Sequence, residues 1–375
     1  MSMDNNQDFV DISSSADLSS SSRKKSKKNI ILIKVLCGVL SALFLVAGIA
    51  SIAYYGTLNS FQYKDLSGTT VNKKPVDASG STDPTDPETL VIDRESGNLL
   101  SDPYVLNIML FGADQYGDAG LSDTMILLSI DNRHEKIKMT SFLRDTYVSI
   151  PGYYASKLNA AYALGGAELS IATIESNYGI KIDRYAIVNF ETFKDIVDIM
   201  GGVDVELTQD EIYYINDQIT QNGQSEYLPW ETEPGIVHLN GQQALWYARN
   251  RGGYVNGTEY GGSDWDRVER QRNFLNAVID ELNGASLPEI VQIVNAVGPN
   301  ITTNLKNSEI TTLVSGALTY LDYEIEQLSV PTDDTWSYGY NEAGSVILID
   351  DWNQVRYDLA KFIYEESVSD SYSSN

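Results

Sequence analysis

The chain has 375 residues, 42% of them hydrophobic, and a formal net charge of -26, with one cysteine and two histidines. That length holds one large domain or two small ones. Cys37 alone excludes an internal disulfide, a cysteine-rich zinc site and a cysteine nucleophile in any soluble domain, and His134 and His238 alone exclude a histidine-rich metal site. No G-x-S-x-G elbow, Walker loop or Rossmann glycine pattern is present, which removes most familiar nucleophilic and nucleotide chemistries.

Residues 1–34 read as a cytoplasmic tail. The first part is polar and Ser-rich, the composition of a disordered segment, and Arg23, Lys24, Lys25, Lys27, Lys28 and Lys34 follow. Val35 to Tyr55 is apolar and uncharged, the length of one transmembrane helix. The basic cluster lies before it and none comparable lies after, so the positive-inside rule places the tail in the cytoplasm and the rest outside the cell membrane. A cleaved signal peptide is the competing reading; the length of the run and of the preceding tail favour a single-pass anchor. Residues 56–90, with Gly, Ser, Thr, Asp and Pro75, Pro84 and Pro87, read as an extracellular linker. The folded domain is expected over 91–365, followed by a ragged Ser/Asp tail, 366–375. With the basic cluster inside, the outer part is more acidic than the whole, and no nucleic-acid partner is expected.

Within the domain, strands are expected at Val105–Phe111, Thr124–Ile130, Lys136–Phe142, Arg184–Asn189, Val203–Leu207, Glu324–Val330 and Val346–Ile349. Helices are expected over Lys157–Tyr178, broken at Gly165-Gly166, over Phe190–Met200, stopped by Gly201-Gly202, and over Leu287–Val297, Ser308–Tyr320 and Trp352–Tyr364. Strands interleaved with helices argue for an α/β fold, layered α/β/α around a central mixed sheet.

The stretch Trp246 to Arg272 carries Arg249, Arg251, Arg267, Arg270 and Arg272, a cationic patch in an acidic protein. Arg249 and Arg251, two apart, share a face if the segment is extended. Ser263-Asp264 reads as a helix N-cap, and Arg267 and Gln271 then share a helix face at i and i+4. If the pairs meet, guanidiniums about 5 Å apart repel by roughly 3 kcal/mol at an effective dielectric near 20. A phosphate would relieve that through charge-assisted hydrogen bonds. The competing reading pairs the arginines with Asp264, Asp266 and Glu269 on a solvated face.

Asp114 and Asp123 flank one loop at the end of a strand. Two carboxylates there suit Mg²⁺ with open positions for phosphate oxygens, or are simply turn residues. Arg144 and Asp145 follow a strand, where open α/β sheets place ligands, or form a local ion pair. Lys157 and Asn159 could be an ordinary helix start. His134 and His238 receive no role, and the 24 scattered tyrosines read as filler rather than sugar platforms.

In order, the segments around Ser122-Asp123-Thr124, "SFLRDTYVSIPG", "KLNAAYALGG", "NFETFKDIVDIMGGVDVEL", "HLNGQQALWYARNR" and "DRVERQRNFL" resemble the LytR-CpsA-Psr family of cell-wall enzymes. The resemblance covers about Tyr104 to Leu282, the core 104–282, and extends to one N-terminal span with an external domain. It implies an α/β fold that binds a polyprenyl-pyrophosphate lipid and transfers its glycopolymer, such as teichoic acid or capsule, to the C6 hydroxyl of muramic acid in peptidoglycan. It implies Mg²⁺ on Asp114 and Asp123. Pyrophosphate contacts are implied for Arg144, Arg249, Arg251, Arg267 and Gln271, and less specifically for Lys157. Asp145 or Asp264 could act as base. Many members have an arginine just before Ser-Asp-Thr and another just after the first aspartate, where this chain has Leu121 and Gln115-Tyr116. A hydrolase using water as acceptor, and a non-catalytic module that binds lipid intermediates, are the alternatives. A lipid groove is expected beneath the Phe190–Met200 helix.

Overall fold

Period-two alternation in the strands builds the centre of the molecule. A computed structural model describes residues 61–64, 70–73, 88–91, 99–113, 122–255, 258–260 and 262–365. The basic tail, the span Val35–Tyr55, most of the linker, Asp114, Gln115, Tyr116, Leu121 and the tail 366–375 lie outside them. No helix among the described residues is long and apolar enough to cross a membrane.

The central strands are β1 (Gln62–Tyr63), β2 (Val105–Ala113), β3 (Ser122–Asp131), β4 (Lys136–Phe142) and β5 (Arg184–Asn189). A separate hairpin pairs β6 (Val203–Leu207) with β7 (Gly235–Leu239), and β8 (Thr302–Thr303) and β9 (Glu324–Val330) return to the sheet. The seven-stranded order is β1-β8-β5-β2-β3-β4-β9. The sheet is mixed: β2–β3 and β3–β4 are antiparallel, while β2–β5 and β4–β9 are parallel.

Alternate residues of β2 and β3 face opposite ways. Met109, Phe111, Met125 and Leu127 pack with α1 (Leu158–Tyr178) and the C-terminal helix Trp352–Tyr364. Leu110, Gly112, Thr124 and Ile126 face a second layer, made by α2 (Phe190–Met200), α4 (Gly241–Arg249) and α5 (Asp264–Leu282), with α3 (Gln209–Gln221) between α2 and α4 in the chain. The expected α/β layering with a mixed sheet is therefore what the chain forms. The break in α1 falls where expected: Gly166 has φ +64°, a conformation open to glycine. The Ser308–Tyr320 helix divides at Gly316 into Asn307–Ser315 and Ala317–Leu321.

Elements that arise where no expectation was drawn include the short strands β1 and β8, the helices α3 and α4, β7 and the strand β10 (Trp336–Asn341), which pairs with β11 (Gly344–Ile349). Reciprocal capping boxes, Thr208 with Glu211 and Asn240 with Gln243, start the two helices.

At the far end of the sheet, the buried Lys138 donates to Asp131 Oδ2 at 2.9 Å and to the Ile363 carbonyl at 3.0 Å, tying the C-terminal helix to the β3–β4 hairpin. Burial pushes Asp131 up. Hydrogen bonds from His134, Lys138 and two backbone N–H groups outweigh it and hold the carboxyl down to about 2. A depressed carboxyl stabilises the fold fully above its unfolded value of 3.8 and loses that contribution as the pH falls toward 2. Urea denaturation should therefore show a loss of about 2 kcal/mol between pH 4 and 2, and Asp131→Asn should flatten that segment.

Candidate active site

The strand β3 begins with a bulge. Gly112 pairs with Thr124 and Ala113 with Ser122, which leaves Asp123 as the extra residue. A bulge re-aims its side chain, and Asp123 lines a pocket on the α2 side of the sheet. The buried Ser122 hydroxyl lies 2.8 Å from the Thr124 carbonyl and 3.1 Å from that of Gly112, so its proton holds the bulge. A Cβ on Gly112 would meet Thr124 Cβ at 2.9 Å; the position admits only glycine without a shift.

The loop after β4 is fixed carbonyl by carbonyl. Leu143 O accepts from Thr146 N and Oγ1, Arg144 O from Asn159 N, Asp145 O from Ile347 N, and Thr146 O from Leu158 N. From this rigid loop the Arg144 side chain donates through Nη1 to Asp123 and through Nε to Asp264, each at 2.8 Å. Ser263 caps α5 as expected, and Asp266 closes its capping box. Arg267 and Gln271, one turn apart, are both buried and both line the pocket.

Arg249 and Arg251 do not lie on one extended segment, as the spacing suggested. Asn240 and Gln243 start a helix instead, and Arg249 is its last residue; only Asn250 onward is extended. The Arg249 guanidinium sits 4.3 Å over the Phe190 ring and 4.9 Å from the Trp246 ring, and has no carboxylate partner among the described residues. Arg251 is exposed, 3.9 Å from Asp264. Two arginines of the patch turn elsewhere: Arg270 donates to Glu211 at 2.7 Å and Arg272 to Ser329 at 2.5 Å.

Asp123, Arg249, Arg251, Arg267 and Gln271 thus line one pocket of about 440 Å³. Arg144 braces Asp123 from behind. Asp145 is held 2.8 Å from Lys157, and neither lines that pocket. Tyr214, Gln218 and Gln221 of α3 complete the wall and were not foreseen; the T-x-x-E box at Thr208 was the available signal for their helix.

The charges decide between the two readings of the arginine stretch. Asp264 does pair, with Arg144, Arg251 and Arg267, while Asp266 is spent on capping. Among the described residues, four guanidiniums (Arg144, Arg249, Arg251, Arg267) still face three carboxylates, Asp123, Asp264 and Asp145, the last 3.6 Å from Arg144 and already paired with Lys157. Arg267 is 3% exposed, and its Nε has no partner among the described residues. Burial, with Arg144 and Arg251 acting the same way, pushes it down to about 10 despite Asp264 and Asp123. Burial also pushes Asp123 up, but the Arg144 hydrogen bond and the charges of Arg144, Arg267 and Arg251 hold it below the ordinary carboxylate value. The pocket is short of negative charge. An anion with several oxygens would supply the missing charge, and Arg267, whose buried Nε lacks a partner at a cost of about 1–3 kcal/mol, stands in the wall where it would sit.

A second cavity, about 240 Å³ and apolar, adjoins the first. Phe193 and Ile196 of α2, Leu245 of α4, and Phe274, Leu275 and Val278 of α5 line it. Gly112, Thr124, Phe190, Arg249 and Gln271 border both cavities.

Asp123 fits a hard divalent cation: its carboxylate is 41% exposed on the pocket side, stays ionised, and keeps lone pairs beyond the arginine contacts.

The LytR_cpsA_psr family profile matches residues 66–355. The chain belongs to that family. A LytR_cpsA_psr relative, the polyisoprenyl-teichoic acid–peptidoglycan teichoic acid transferase TagV of Bacillus subtilis, is 32% identical over 237 residues, 61% of this chain and 57% of TagV. The match therefore spans less than two thirds of that relative's length. The crystal structure of B. subtilis TagV superposes with a TM-score of 0.54 at 28% identity, over 70% of this chain and 98% of that one. YwtF (TagT), with bound octaprenyl pyrophosphate lipid, gives 0.52 at 23% identity over 70% and 93%, a likeness of fold.

Inorganic pyrophosphate should stabilise the protein: at a hundredfold excess over its Kd the gain is about 2.7 kcal/mol. A thermal melt should show the rise, and Arg249→Ala, which removes a cation facing no carboxylate, should abolish most of it.

Proposed function

We propose that this protein is a membrane-anchored extracellular phosphotransferase that moves a glycopolymer from a polyprenyl-pyrophosphate carrier onto peptidoglycan. The observation that carries this is the junction of the two cavities. A ligand with a polyanionic head and an apolar tail fits both, with the head among Arg249, Arg251, Arg267 and Gln271 and the tail between α2 and α5. The name of the TagV relative supports teichoic acid as cargo and peptidoglycan as acceptor. The anchor is Val35–Tyr55, with residues 1–34 in the cytoplasm.

An acceptor hydroxyl, the C6 hydroxyl of a muramic-acid residue, attacks the sugar-linked phosphorus. The new P–O bond forms as the bond to the bridging oxygen breaks, polyprenyl phosphate leaves with the electron pair of that bond, and the hydroxyl proton passes to the departing phosphate. The activated group is the pyrophosphate itself, so no further energy source is needed. Catalysis is positioning plus electrostatics: Arg267 and Arg249 meet the developing negative charge, and Arg144 keeps Asp123 and Asp264 in place. Asp264, shared by three guanidiniums, acts as their spacer. Asp145, paired with Lys157, aligns the loop that carries Arg144. Asp123 and Asp114 would hold Mg²⁺, which when bound adds positive charge against the pyrophosphate oxygens.

The test is a product assay with a short polyprenyl-pyrophosphoryl sugar, peptidoglycan fragments and Mg²⁺, read by mass spectrometry. Sugar phosphate joined to glycan is expected, with Arg249→Ala lowering kcat about 10²–10³-fold and chelation removing turnover. Free sugar phosphate would make the protein a hydrolase. Substrate bound and unchanged, or near-normal transfer by Arg249→Ala, would refute the assignment.

A further inference from the structure

A line of aromatic rings starts beside Asp264, the carboxylate that pairs with Arg144, Arg251 and Arg267. Trp265 follows Asp264 in the first turn of α5, and its ring lies 5.3 Å from Trp336 at the start of β10. Trp336 in turn meets Tyr338 edge-on at 4.9 Å. Trp336, Tyr338 and Tyr340 are two apart on one strand, so their side chains leave the same face from Cα atoms about 7 Å apart. Exposure rises outward along the line: the two tryptophans are half-buried, Tyr338 is 67% exposed and Tyr340 86%.

The platform is rigid and tied to the site. Ile347 of β11 donates its N–H to the Asp145 carbonyl at 2.9 Å, and the buried Ile347 packs with Leu143 and Val268. The hairpin is thus fastened to the same loop that aims Arg144.

Aromatic rings left open to water on a stiff strand are a stacking surface. The flanking residues select what stacks. Asp333, Asp334, Glu342 and Asp350 are exposed around the hairpin. They repel a polyol-phosphate chain, with a charge in every repeat, and an anionic membrane surface more than a glycan strand, which carries one carboxylate per disaccharide, and they accept hydrogen bonds from hydroxyl and amide groups.

We infer that the β10–β11 face binds the acceptor: the glycan strand of peptidoglycan, whose N-acetylated pyranose rings stack on Tyr340, Tyr338 and Trp336 and lead one sugar hydroxyl toward the pocket. This rests on the transferase reading above and adds to it where the second substrate lies. Tyr338 and Tyr340 touch a sugar that does not react, so they govern acceptor affinity and leave the head-group pocket alone.

The experiment needs no donor and no turnover. Full-length protein in detergent is titrated with glycan strands stripped of their stem peptides, following tryptophan fluorescence, which Trp265 and Trp336 report. The expected result is saturable binding that weakens tenfold or more in Tyr338→Ala/Tyr340→Ala. Tyr338→Phe/Tyr340→Phe should stay within about twofold of the wild type, because stacking does not need the hydroxyl. Unchanged melting temperature and unchanged pyrophosphate binding in the alanine pair show that the fold and pocket survive. Three results overturn the proposal: no glycan binding by the wild type, equal binding by the alanine pair, or tighter binding of purified polyol-phosphate polymer that the alanine pair loses. Loss of transfer with glycan binding intact would count against the transferase reading and not against this surface.

Discussion

The site depends on one guanidinium. Arg144 reaches Asp123 in the β3 bulge and Asp264 in the first turn of α5, with 2.8 Å hydrogen bonds to both. It thereby joins the sheet to the helical layer, beside the contacts that Arg267 makes with Asp123 and Arg272 with Ser329. Its own backbone is immobilised by Asn159, and the carbonyls either side of it by Thr146 and Ile347. Burial disfavours the charged guanidinium; the two carboxylates, Asp123 foremost, outweigh it and raise the group above its ordinary value. A fixed cation between two carboxylates sets where the remaining arginines stand.

Those carboxylates do not cancel the pocket's charge. Arg249 is held by rings rather than by an acid, and Arg267 is buried with a donor left over. Cation–π contact positions a guanidinium while leaving its edge free for a ligand. The same side chain, with Phe190 and Gln271, borders the apolar cavity. The head group and tail of the proposed carrier would therefore meet one set of neighbouring residues. Such preorganised positive charge costs the free protein some stability, and it is the form in which electrostatics assists phosphoryl transfer.

Much of this was legible from local pattern. Lys136–Phe142 and Arg184–Asn189 stand where β-periodicity put them, and Phe190–Met200 ends at Gly201, whose φ is +95°. Ser263 capping and the i, i+4 placement of Arg267 and Gln271 needed only helix geometry. What was missed is non-local or short. The local ion pair of Arg144 with its neighbour Asp145 is present at 3.6 Å, but the 2.8 Å partners lie 21 and 120 residues away. The Arg249 helix is nine residues of mixed polarity, and only its capping box marks it. Tyr214 enters the pocket through a helix announced by the same signal. The tyrosines of β10 do not stand out among 24 in the sequence, because period two in a six-residue strand carries little weight alone; pairing with β11 gives it meaning.

The central claim is that one ligand spans both cavities. Isothermal titration of a short prenyl pyrophosphate against inorganic pyrophosphate, on the same preparation, measures this directly. Burying a prenyl chain of a few isoprene units in the apolar cavity should tighten binding at least a hundredfold, about 2.7 kcal/mol or more, with a negative heat-capacity change. Ile196→Arg, which places a charge in the apolar cavity alone, should erase that gain and leave pyrophosphate binding intact. Equal affinity for the two ligands would mean that the apolar cavity takes no part in binding, and the account of a polyprenyl carrier would fail.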